Sequence, residues 1–136
     1  MSHGHWPVII GAAVLAWVIG ALWYSPLLFA KAWVAAHGYT PERLAEMQKS
    51  AGKAYAGSLV AFGMVAFVLH LFLSRLGASD AVAGAGWGFH AWVGFAFPLG
   101  LTAWLYSDKR VATFLIDTGF QLVYLTAMGA VLGRWG

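Results

Sequence analysis

Four stretches of this chain, Pro7 to Phe29, Ala54 to Leu76, Val82 to Tyr106 and Val111 to Gly133, each run for more than twenty residues with only Arg75 and Asp117 charged among them. At about 1.5 Å of rise per residue, roughly 20 such residues span the hydrocarbon layer of a bilayer as a helix. Inside lipid every backbone N–H and C=O must be paired within its own segment or within a closed barrel. The runs lack the period-two alternation of barrel strands, so helices are the remaining solution. The expected fold is therefore all-α: a polytopic membrane protein, a bundle of four transmembrane helices forming one domain over residues 1–136, with spans at 7–29, 54–76, 82–106 and 111–133. Composition agrees. The chain is 61% hydrophobic and 10% charged, against about 25% charged in an ordinary soluble domain, too little to cover a soluble surface.

Direction follows from the basic residues. Lys31, Arg43, Lys49, Lys53, Lys109 and Arg110 lie on one side of the expected spans, Arg75 and Arg134 on the other. The excess places loops 30–53 and 107–110 in the cytoplasm and both termini outside. Trp6, Trp87 and Trp135 then fall at the outer boundary and Trp23, Trp33 and Trp104 at the inner one, where amphipathic rings settle. No lysine or arginine precedes the first span, and its apolar run exceeds a signal core, so it is expected to stay as a span. Within the long loop, "TPERLAEMQKSAGK" offers Thr40 as an N-cap, Pro41 at the first helical position and Glu42 near the positive helix end. Leu44, Met47 and Ala51 give it one apolar face, which predicts a short interfacial helix between the first and second spans.

The polar groups at membrane depth fall into two sets. In the fourth span Thr113, Asp117, Gln121 and Tyr124 are spaced by four, four and three residues and share one helical face. A carboxyl group at that depth costs on the order of 3 kcal/mol and must face protein or water. In the first span, Pro26 has no N–H and leaves the carbonyl of Leu22 unpartnered, beside Tyr24 and Ser25 at the depth of Asp117. Tyr24, Ser25, Thr113, Asp117, Gln121 and Tyr124 form a candidate polar site near the inner boundary. The second set, His70 and His90, lies in the outer half on adjacent spans; two imidazoles among small residues can ligate a haem or chlorin, or serve structural hydrogen bonding or an outward water-filled cavity. His3 and His5 are expected in a solvated end. Gly84 with Gly88, and Gly129 with Gly133, have the four-residue spacing of close helix packing.

No nucleophile, base and acid stand at usable spacing, and there is no phosphate loop and no cysteine, so no catalytic residues and no metal site are assigned. The scattered net charge of +3 suits an anionic lipid surface and excludes a nucleic-acid platform. The remaining partners are the bilayer itself and a homo-oligomer or larger membrane complex.

"GALWYSPLLFAKAW", the charged loop after it, a proline in the third span and "FLIDTGFQLVYLTAMGAVLGRW" together resemble a widespread family of small bacterial membrane proteins, catalogued as domain of unknown function 1761. The resemblance implies a four-helix integral membrane protein with no assigned activity. It implies that Trp23, Tyr24, Pro26, Lys31 and Asp117 belong to the family pattern; Ala30 stands where members often carry glycine. Three functions remain open on this reading: an accessory or scaffold subunit packing in the bilayer, a proton-coupled transporter or exchanger using Asp117, and a haem- or pigment-binding subunit using His70 and His90.

Overall fold

The computed structural model describes residues 5–136; His3 lies outside the described residues. All regular structure among them is helical. Three helices are long and apolar enough to cross a membrane: α1 (Trp6–Trp23), α4 (Ala51–Leu76) and α7 (Val111–Trp135). Two short helices, α2 (Ala30–His37) and α3 (Pro41–Gln48), connect α1 to α4, and α5 (Ala81–Ala91) and α6 (Phe97–Leu105) stand between α4 and α7.

Three expectations are corrected. The first helix ends at Trp23, six residues short of Phe29, because Pro26 removes the donor that would carry the next turn. The long loop holds two short helices where one was expected. They are separated by Gly38, whose φ of 71° caps α2 in the left-handed conformation. The stretch 82–106 is not one α-helix: the wider π-helical turn Trp92–Ala96 joins α5 to α6. Phe97 reaches back to the carbonyl of Trp92 there, immediately before Pro98, which has no N–H to offer the preceding turn. Elsewhere the capping chemistry matches the sequence. Thr40 Oγ1 accepts from the Arg43 N–H at 3.1 Å and Asp80 Oδ1 from the Ala83 N–H at 2.8 Å.

Helix α7 is the hub. It packs against α5, α1, α4 and α2, while α1 also packs against α4. The core joins Ile9, Ala12, Ala13 and Ala16 of α1 to Ala66, Leu69 and Leu73 of α4 and to Met128 and Leu132 of α7. The alanines matter because they let three backbones approach around one seam. The closest approach is between α5 and α7. A Cβ added at Gly84 would collide with the carbonyl of Gly129, one at Gly129 with the carbonyl of Gly84, and one at Gly88 with the carbonyl of Leu125. The two four-residue glycine repeats therefore face each other. Large apolar side chains cover the outside, Leu27 and Val82 at 83% exposure and Leu99 at 71% among them. A surface of that kind is stable against lipid and unstable against water.

Candidate functional site

The polar site is built at the turn that ends α1. With Pro26 unable to donate, the carbonyl of Leu22 accepts from Ser25 instead, from its Oγ at 2.6 Å and its N–H at 3.2 Å. Ser25 Oγ in turn accepts from the Leu27 N–H at 3.2 Å. The Phe29 N–H closes the turn on the carbonyl of Trp23 at 3.0 Å, and α2 starts one residue later. Ser25 is thereby committed to the backbone of its own turn.

That turn delivers Tyr24 and Trp23 to α7. Tyr24 Oη donates to Asp117 Oδ1 at 2.5 Å, in a half-buried setting. Trp23 Nε1 donates to the carbonyl of Ile116 at 2.9 Å. From the other side of α7, Trp92 Nε1 in the π turn donates to the carbonyl of Thr118 at 2.8 Å. Three consecutive residues of α7 thus accept three side-chain donors from two different parts of the chain. A carbonyl has two lone pairs, so the Ile116 and Thr118 carbonyls can take these bonds in addition to the helix ladder.

Phe120 fills the space beneath. Its buried ring meets Tyr24 edge-on at 5.4 Å, Tyr124 at 4.8 Å and Phe62 edge-on at 6.0 Å. Gly20 gives it room, since a Cβ there would lie 3.0 Å from the ring.

Of the residues expected in this site, the structure joins Tyr24 to Asp117 directly. Thr113 is buried but turns its hydroxyl to the Arg110 carbonyl at 2.8 Å, at the start of α7. Tyr124 stacks edge-on with Phe62 at 5.1 Å and serves the aromatic packing. Among the described residues no side-chain hydrogen bond involves Gln121 or Tyr124. The indole donors of Trp23 and Trp92 are the members that sequence reasoning left out. Their signal is general: a tryptophan at helix-packing depth has an N–H that needs an acceptor. Trp17 does the same between α1 and α4, donating to the carbonyl of Tyr55 at 3.2 Å.

Among the described residues, cavities of about 370, 420 and 540 Å³ lie elsewhere, and Asp117 lines none of these. The largest is an apolar groove between α1 and α4, the second lies between α4, α7 and the α5–α6 stretch, and the third opens at the end of α4 and α7 beside His70 and Arg134.

His70 and His90 have different surroundings. His70 is buried at 3% exposure, with the ring of His5 against it at 4.7 Å between centroids. His5, expected in a solvated end, instead covers His70. His90 is exposed on α5, and its Nδ1 lies 2.7 Å from the carbonyl of Gly86. Among the described residues no ring contact links His70 to His90, and no group of three or more His, Cys, Asp or Glu is placed to hold a metal ion.

From residue 7 to residue 133 the chain matches the family described as "Protein of unknown function (DUF1761)". No curated protein and no solved structure matches it. The match takes in both the turn that ends α1 and the polar stripe of α7, over nearly the whole chain, and the protein belongs to the DUF1761 family.

Proposed function

We propose that this protein is a four-span integral protein of the bacterial inner membrane that works as an accessory or interaction subunit, packing within the bilayer against copies of itself or a larger complex. In this reading α1, α4, the α5–α6 stretch and α7 are the four spans, the termini lie outside, and loops 30–53 and 107–110 face the cytoplasm with their basic residues toward anionic lipid. The observation that carries the subunit reading is the commitment of Asp117 to Tyr24 at 2.5 Å, between indole donors on Ile116 and Thr118. An acid held this way is a tie between helices.

The test is a pair of measurements on one set of proteoliposomes and membranes. Wild type and Asp117→Asn are reconstituted with a pH-sensitive dye inside, and the same variants are solubilised gently and resolved by native electrophoresis. The expected outcome is no Asp117-dependent proton flux with any applied gradient, and wild type migrating in an assembly of fixed stoichiometry. A proton flux abolished by Asp117→Asn would replace this reading with proton-coupled transport. A clean monomer under gentle conditions would also overturn it.

A further inference from the structure

His70 is buried at 3% exposure near the end of α4, yet it lines the cavity of about 420 Å³ where α4 and α7 both end. Its Nδ1 faces the end of α7, since a Cβ built on Gly136 would lie 3.2 Å from that nitrogen. His37 and His90 each set Nδ1 on the carbonyl four residues back. Among the described residues, the side chains of His70 and His5 make no hydrogen bond. A buried polar group without a partner is costly, and this one opens onto a space large enough for a ligand.

A second imidazole reaches the same place from another helix. Trp6 stacks on Phe67 at 5.5 Å with the ring planes 13° apart, and Ile9 packs in the core with Leu69 and Leu73. These contacts fix the start of α1 on α4 and bring the His5 ring to 4.7 Å from that of His70, centroid to centroid. Two imidazoles on one tetrahedral zinc, each nitrogen about 2.0–2.1 Å from the ion, have ring centres roughly 5 Å apart. Each neutral ring carries one nitrogen that only accepts. Water in the cavity satisfies one such nitrogen, but it gives no reason for a second imidazole to lie against the first.

The local field favours a cation. Helices α4 and α7 both finish here, so the negative ends of two long helix dipoles point at the cavity. The positive group at the rim, Arg134, is exposed and lies over the Trp135 ring at 5.6 Å. Among the described residues no carboxylate or thiol joins the two histidines, so the remaining coordination falls to oxygen. Ser74 and Ser79 line the same cavity, and it has room for water ligands.

We propose that His5 and His70 bind a divalent transition-metal cation of the zinc class at the mouth of this cavity, with hydroxyl or water oxygen completing the shell. Imidazole is a ligand that zinc accepts alongside oxygen. Such an ion fastens the start of α1 to the end of α4. The inference stands apart from the subunit reading, because it uses neither Asp117 nor an assembly.

The experiment is calorimetric titration of the tag-free, chelator-treated full-length protein in nanodiscs with zinc sulfate, and with cobalt(II) as a spectroscopic stand-in. Empty nanodiscs set the background. Wild type is expected to take up one zinc per chain, to give the visible absorption of four-coordinate cobalt, and to unfold at a higher temperature with zinc than without. His5→Gln and His70→Gln should each weaken binding at least tenfold and lose the zinc-dependent rise, while His90→Gln keeps both. Because His70 is buried, His5→Gln at a half-buried position is the variant that decides if His70→Gln fails to fold. Titration heats no different from those of empty nanodiscs would overturn the proposal. So would unchanged binding in His5→Gln, or binding lost in His3→Gln and kept in His70→Gln, which would put the ion at the amino terminus.

Discussion

Tyr24 and Asp117 are 93 residues apart in sequence and 2.5 Å apart in space, the phenol of the α1 cap donating to the carboxylate oxygen in α7. The contact exists because Pro26 stops α1 at Trp23 and the following turn swings the Tyr24 ring onto α7. A break in one helix is thus used to reach the acid in another, and the pattern around it makes definite predictions.

The indole donors bind α7 to its neighbours. Replacing Trp23 or Trp92 with Phe keeps most of the apolar area and removes one N–H bond, to Ile116 or to Thr118 respectively. Each change should lower stability by about 1 kcal/mol, the scale of an interhelical hydrogen bond in a membrane. Reversible unfolding in mixed micelles measures it. A tryptophan whose loss costs nothing would be acting only as an interfacial ring.

Glycines divide into two classes by what lies opposite. Gly129→Val forces a side chain into the backbone of Gly84, which cannot move without separating α5 from α7. The expected cost is about 3 kcal/mol or more, at the upper end of overpacking effects. Gly63→Ala meets nothing within 4 Å and should be neutral or slightly stabilising, since alanine is the better helix former by about 1 kcal/mol. Thermal unfolding of the two variants side by side checks the contrast.

Topology can be read cleanly because the chain has no cysteine. Ser79→Cys, between α4 and α5, should react with a membrane-impermeant maleimide added outside intact spheroplasts. Ser107→Cys, between α6 and α7, should react only after lysis. The reverse pattern would invert the protein in the membrane, and labelling of both from outside would remove residues 81–105 as a span.

Much of this architecture was legible in composition and spacing. The long apolar runs locate α1, α4 and α7, and the glycine repeats at 84 and 88 and at 129 and 133 announce the α5–α7 contact, because only hydrogen fits at such an approach. The polar face of α7 likewise singles out Asp117. What the sequence concealed depends on backbone register. Hydropathy continues past Trp23 to Phe29, so the end of α1 is invisible to it, although the missing N–H of Pro26 is the physical cause. The π turn before Pro98 is hidden for the same reason. The His5–His70 contact depends on how α1 and α4 align end to end. Equal depth suggested His70 and His90 as partners, but depth carries no information on which way a helix face turns, and the two side chains have different neighbours.

The most direct test of the structural role of Asp117 is a double-mutant cycle between Tyr24→Phe and Asp117→Ala, with unfolding free energies measured in a bilayer-like environment. If the pair is an interhelical tie, each single change destabilises, and the second costs little once the first is made. The coupling energy should be about 1 kcal/mol, within the range for membrane hydrogen bonds. A coupling near zero, with both single variants as stable as wild type, would contradict the account and return Asp117 to the list of groups free to exchange protons.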